Sequence, residues 1–188
     1  PTTLFTADEE ERVIDGVRLK LVSAIGETDD QLFVWLPDDR ILCCGDNYYA
    51  CWPTLYAIRG SQYRDIAAWL DSLSAIMSYH PDILLPGHTP PIFGREEIQT
   101  VLCNFRDAIQ SVLFQTLDCM NRGMDMLEAV SSVKLPEKYR DLPYLQEFYG
   151  TVSWTVKGIY AGYVGWFDGN PVHLDPVPET EYSREILG

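Results

Sequence analysis

The sequence is poor in positive charge and has no basic run: 14 Lys and Arg stand against 28 Asp and Glu, for a formal charge of −14 at pH 7. Chains that track phosphates or dock on anionic membranes need clustered Lys and Arg, so neither a nucleic acid nor a membrane is an expected partner. No apolar run approaches the length of a membrane span, and no basic-then-apolar leader opens the chain. Cysteine is too irregular for a framework. Cys43 and Cys44 are adjacent, Cys51, Cys103 and Cys119 are scattered, and no CxxC pair occurs. They read as reduced packing residues, with Cys43 and Cys44 on opposite faces of one strand and so poorly placed to act together. Internal repeats and low-complexity segments are also missing. A cytoplasmic setting is the default expectation. Because the chain starts at Pro1 without a Met, as an excised piece would, a periplasmic or secreted setting with a removed leader stays open.

What is present divides into two patterns. Up to about residue 88 the signal is β. Val17, Leu19 and Leu21 alternate with Arg18 and Lys20, Leu32-Phe-Val-Trp-Leu36 is a short apolar run, and Pro37-Asp-Asp39 turns the chain into Ile41-Leu-Cys-Cys44. One helix interrupts this half over about 62–79, with Ile66, Leu70, Leu73 and Ile76 on one face and Pro81 closing it. Strand, helix, strand is the order expected where helices cover a sheet. From Arg95 the period becomes helical: Ile98, Val101, Leu102, Phe105, Ile109, Val112, Leu113 and Thr116 recur at three and four, with Gly123 as a stop. Shorter helices are expected over about 126–133 and 152–167. The long helix has more apolar positions than a small β/α unit uses, which predicts helix-on-helix burial within this half or against a second copy. The acidic stretches at 8–11 and 179–185 read as solvated ends. The segment after Pro171 reads as extended.

Three chemically apt residues sit where strands end. Arg40-Ile-Leu-Cys-Cys-Gly-Asp46 is an apolar strand that delivers a carboxylate to a sheet edge, where α/β proteins place their ligands. Glu27 is read as ending an earlier strand and His88 a later one, in Asp82-Ile-Leu-Leu-Pro-Gly-His88. Glu, Asp and His are metal-ligand types, and neutral imidazole suits a borderline cation such as zinc. The competing reading of Asp46 is a turn residue bonded to its own backbone. A bridging carboxylate suits two metals about 3.5–4 Å apart, the arrangement that clamps an ester during hydrolysis. Three ligands cannot fill two coordination shells, so the others must come from sequence outside these residues or from another chain.

Seven ordered segments carry a resemblance across nearly the whole chain. They are Gly26-Glu27-Thr28, Cys44-Gly-Asp-Asn47, Leu55-Tyr-Ala-Ile-Arg-Gly60 with Arg64-Asp65, Pro86-Gly-His-Thr-Pro90, Arg106-Asp-Ala-Ile-Gln110, Phe148-Tyr-Gly-Thr-Val152 and Gly165-Trp-Phe-Asp-Gly-Asn-Pro171. Together they resemble the alkylsulfatase branch of the metallo-β-lactamase superfamily. The resemblance implies an α/β fold: the C-terminal part of a metallo-β-lactamase-like αββα sandwich over 1–94, an α-helical dimerisation region over 95–170, and the extended tail over 171–188. It implies cleavage of sulfate esters of alkyl or aryl alcohols with two zinc ions, and a homodimer. Glu27 would bind one metal, Asp46 would stand at the bridging acidic position, and His88 would bind the other metal.

Arg59 and Arg64 are candidate anchors for the sulfate, since a guanidinium matches an oxyanion in charge and forked geometry. The alternative for each is a surface charge or an ion pair with Asp65. The family's His-x-His-x-Asp-His motif is absent, and with only His80, His88 and His173 it has no other place in the chain. The 188 residues therefore read as a C-terminal piece of a longer enzyme, inactive by itself. Trp154 occupies the position that many members fill with a proton-donating His and is assigned to substrate contact. Tyr48, Tyr49 and Tyr149 would be weak replacement donors at neutral pH, and Trp52, close to Asp46 in sequence, is a further candidate for holding an alkyl chain. Two alternatives remain: another esterase of this fold, such as a phosphodiesterase, lactonase or thioesterase, or a non-catalytic dimerisation module.

Overall fold

A computed structural model describes residues 4–56 and 63–187. Six strands lie side by side in chain order: β1 (Glu9–Ile14), β2 (Val17–Ser23), β3 (Leu32–Leu36), β4 (Ile41–Gly45), β5 (Ile83–Pro86) and β6 (Ile92–Phe93). All neighbours run antiparallel except β4 and β5, which are parallel. A parallel pair needs a crossover, and helix α1 (Ile66–Ser78) supplies it. Alternation decides which face is covered. Phe33, Trp35, Leu42, Cys44 and Leu84 are buried beneath the helices, whereas Leu21, Val34, Cys43 and Leu85, joined in register across four strands, form a half-buried opposite face.

The helical layer grows outward from α1. The Asp65 carboxylate accepts the Ala68 N–H at 3.0 Å and sets the helix start, with Ile66, Trp69, Leu70, Leu73, Ile76 and Met77 buried in the core. Helix α2 (Arg95–Asn121) buries a broad stripe from Ile98 to Cys119 and packs on both α1 and α5 (Val152–Val164). The apolar surplus of the long helix is thus used inside this chain. Helix α3 (Met126–Ser132) starts from a full capping box between Asp125 and Glu128. The short α4 (Glu137–Arg140) and a 3-10 turn at Pro143–Leu145 follow. One continuous core runs from Phe33 in the sheet to Ile159 in α5. Among the described residues no helix is long and apolar enough to cross a membrane.

Four sequence readings are corrected here. The acidic stretch 8–11 is not a loose end, because Glu9, Glu10 and Glu11 belong to edge strand β1, where Lys20 of β2 pairs with Glu9 at 2.7 Å. Cross-strand charge pairing compensates for low strand propensity there. The first helix starts at Ile66 rather than about 62 because Asp65 caps it. The last regular turn of α5 ends at Val164 rather than 167 because Gly165 takes φ +90°. Finally, the segment read as an extended tail holds a 3-10 turn at Pro171–His173 and helix α6 (Glu179–Leu187), which buries no residue.

Phe105 of α2 is fully buried with its ring edge against Tyr48 at 5.1 Å, so it couples the helical layer to the loop after β4. Phe105→Ala should destabilise the chain by about 3–5 kcal/mol, read as a lower midpoint of urea unfolding.

Candidate functional site

The C-terminal ends of the parallel strands β4 and β5 bring the first two site residues together. Register shifts between Cys43 and Gly45, where Gly45 adopts φ +56° and a Cβ would lie 2.1 Å from the Gln31 amide nitrogen. This bulge turns the chain out of the sheet at Asp46. The Gly87 N–H donates to the Gly45 carbonyl at 2.8 Å, holding the exit of β5 beside that of β4. The result is contact between residues 42 positions apart: His88 Nδ1 lies 2.7 Å from Asp46 Oδ1. A side chain at Gly87 would place its Cβ 2.3 Å from the same carboxylate oxygen, so this close approach requires glycine.

Glu27 reaches the same edge differently from the sequence reading. Strand β2 ends at Ser23, and Glu27 belongs to the loop beyond it rather than to a strand end. That loop is anchored from below. Fully buried Asn47 donates its side-chain amide to the Ala24 carbonyl at 2.8 Å, the Trp69 indole donates to the Asn47 carbonyl at 2.9 Å, and Ser72 of α1 donates to the Ile25 carbonyl at 2.7 Å. The residue after Asp46 therefore ties the Glu27 loop to the Asp46 loop.

Arg64 is paired with Glu27 at 2.9 Å and also donates to the Thr54 carbonyl, while Asp65 is occupied as the helix cap. The side chains of Arg64 and Glu27 are only 11% and 19% exposed, so this is a largely buried ion pair and not a surface charge. Removing one partner would strand the other away from water. Arg59 lies outside the described residues.

Tyr49 links the two carboxylate loops. Its buried phenol is pushed up from its ordinary pKa, first by burial and then by the charges of Glu27 and Asp46, which it faces. Its ring stacks on His88 with 6.3 Å between centroids and a 20° interplanar angle, and it meets Tyr149 at 5.8 Å. Sequence reasoning considered Tyr49 only as a proton donor and missed this central position. Tyr48 points inward against Phe105, and Trp52 is fully buried with its indole donating to Thr155, so neither offers a surface to a ligand. Trp154 is exposed on the first turn of α5, with its N–H capped by the Thr151 hydroxyl and, among the described residues, no ring contact to Tyr49 or His88. Cys44 faces the core, where burial pushes its thiol up to about 12, which removes it as a nucleophile.

The donor chemistry of Glu27, Asp46 and His88 fits a borderline divalent cation, and Gly87 allows the Asp46 carboxylate to lie close against the exit of β5. Asp46 and His88 are adjacent, but Glu27 is committed to Arg64. Among the described residues no three Asp, Glu, His or Cys side chains converge closely enough to hold an ion unaided. The His88 pKa is raised, mainly by the hydrogen bond to Asp46 and then by that group's charge.

The sequence and the fold have counterparts among known proteins. The chain is 37% identical over 189 residues to the linear primary-alkylsulfatase of Pseudomonas sp. (strain ATCC 19151), a match covering all of this chain and 36% of that protein. It superposes on the stereoselective inverting sec-alkylsulfatase Pisa1 from Pseudomonas sp. with a TM-score of 0.92 at 30% identity, covering 100% of this chain and 30% of that one. Along its whole length the chain is similar to alkylsulfatases. A family model described as alkyl sulfatase dimerisation matches residues 125–188. A metallo-beta-lactamase family protein from Thermus thermophilus shares the fold at a TM-score of 0.50 and 15% identity, covering 82% of this chain and 48% of that one. The chain spans about a third of the length of the curated alkylsulfatases it matches. It has the partial metallo-β-lactamase-like sandwich followed by helices that the sequence resemblance implied.

Two measurements probe this sheet edge. A histidine pKa raised in the folded state stabilises the fold fully below the ordinary value of 6.5, and the contribution is lost as pH rises through the raised value. Asp46→Asn should bring the His88 pKa back toward 6.5 in an NMR titration and remove that pH dependence. Gly150→Ala would place a Cβ 2.1 Å from the Pro53 carbonyl oxygen. It should cost about 1–3 kcal/mol in urea unfolding, since backbone cannot yield as a flexible side chain can.

Proposed function

We propose that this chain forms one edge of the active site of a metal-dependent hydrolase of alkyl or aryl sulfate esters. The observation that carries the reading is the Asp46–His88 pair at the C-terminal ends of parallel strands, with Glu27 anchored to the same edge, in a chain whose fold follows an alkylsulfatase from end to end. Asp46, His88 and Glu27 would hold zinc, as a dinuclear site completed by ligands from polypeptide outside these 188 residues. When bound, the metal supplies positive charge to the sulfate oxygens.

This chain's own residues prepare that place. Arg64 fixes the orientation of Glu27, and Asp46 orients the imidazole of His88 through Nδ1, leaving Nε2 as the ligating nitrogen. With Arg64 engaged by Glu27, sulfate anchoring is assigned to Arg59, whose fork would match the oxyanion. The protein also acts as a homodimer in this reading. Support comes from the dimerisation match over 125–188 and from the exposed apolar side chains Trp166, Val172, Tyr182 and Ile186 in the same segment.

The test is metal content and sulfate release from an alkyl sulfate and a chromogenic aryl sulfate, measured on the full-length protein. Two zinc ions per chain are expected, with turnover reduced by about 10²-fold or more in Asp46→Ala and His88→Ala. An intact, metal-free and inert wild type would refute the reading.

A further inference from the structure

Phe148 is 82% exposed and Tyr149 49% exposed, yet the backbone that carries them is held on both sides. The Trp52 N–H donates to the Gln146 carbonyl at 2.8 Å, and the Gly150 N–H returns to the Trp52 carbonyl at 3.1 Å. Trp52 is itself locked in the core, and Gly150 packs directly on the Pro53 backbone. This clamp grips the same loop that begins at Asp46. The two aromatic residues are therefore fixed relative to the site and do not hang from an independent loop.

Tyr149 is continuous with the polar edge, and Phe148 precedes it in the same clamped segment. Tyr149 meets Tyr49, and Tyr49 stacks on His88, so an aromatic row leads from the Asp46–His88 pair out to solvent. A rigid, exposed apolar surface beside a cluster of charged groups matches an amphipathic small molecule whose polar head sits at the charges. The other large aromatics near the site are unsuited. Trp52 and Tyr48 are buried, and Trp154 makes no ring contact with the row among the described residues.

We infer that Phe148 and Tyr149, backed by Tyr49, form the subsite that holds the hydrocarbon part of the sulfate ester. The inference rests on the hydrolase reading and adds to it the residues that select for the alcohol. Burying methylenes against these rings lowers KM with each added carbon, and the effect ends where the row reaches open solvent.

The experiment compares short and long linear alkyl sulfates on the full-length enzyme as wild type, Phe148→Ala, Tyr149→Ala, the double variant, Tyr149→Phe, and Phe114→Ala as a remote exposed control. In parallel, binding of inert alkyl sulfonates of matched length is measured by calorimetry. In wild type, KM and sulfonate Kd should fall with chain length. In the double variant that gain should shrink by about tenfold or more for the long chain, whereas Tyr149→Phe and Phe114→Ala keep it. An unchanged chain-length dependence in a double variant with wild-type metal content and urea midpoint would overturn the subsite. If no sulfate ester is cleaved but sulfonate binding still depends on Phe148 and Tyr149, the subsite stands and the hydrolase reading falls.

Discussion

The hydrogen bond from the Gly87 N–H to the Gly45 carbonyl closes the parallel pair β4–β5 at the end where both strands leave the sheet. Everything chemical in this chain depends on that closure. It sets the exit of Asp46 beside the exit of His88 and lets a carboxylate and an imidazole meet across 42 residues. Parallel pairing makes this possible because two adjacent strands then end on the same side, whereas the antiparallel pairs of this sheet send successive ends to opposite edges. Helix α1, as the crossover, is accordingly part of the site's construction and not only its cover.

A second level of order holds the loops that this closure exposes. Asn47 and Ser72 fasten the Glu27 loop, Arg64 neutralises Glu27, and the clamp between Trp52 and residues 146–150 fastens the aromatic row. These are mostly side chain to backbone or backbone to backbone hydrogen bonds in buried surroundings, where an unmade bond carries a desolvation cost of about 1–3 kcal/mol. The loops are therefore as well determined as the sheet edge they extend. The helical layer takes part through Phe105 against Tyr48 and Thr155 beneath Trp52.

The sheet has one face filled by helices and one only half-buried, with Leu21, Val34, Cys43 and Leu85 in register. That second face is only partly covered among the described residues, in a chain about a third as long as the curated alkylsulfatases it matches and whose ligand set does not converge among those residues. Helix α6 has the same character, since nine residues without a buried side chain gain little from propensity alone.

The sequence by itself determined the central strands and the longer helices, and two of the site's three acidic and imidazole positions. Period-2 alternation marked β2, short apolar runs marked β3 and β4, the three-and-four spacing marked α2, and apolar runs ending in Gly-Asp and Gly-His marked Asp46 and His88 at a sheet edge. These signals are short-range, arising from which face of a strand or helix is apolar, and such patterns survive in one dimension. Only the tertiary structure decided that Glu27 stands in a loop and not at a strand end, that its partner is Arg64 and not a free site, that Tyr49 links both carboxylates to an aromatic row, and that the acidic run Glu9–Glu11 is an edge strand. Each of these depends on which distant segments share a surface, and no local pattern encodes that. The Glu27–Arg64 pairing spans 37 residues and exists because buried opposite charges are driven to meet, a choice made only once the sheet and α1 have brought them within reach.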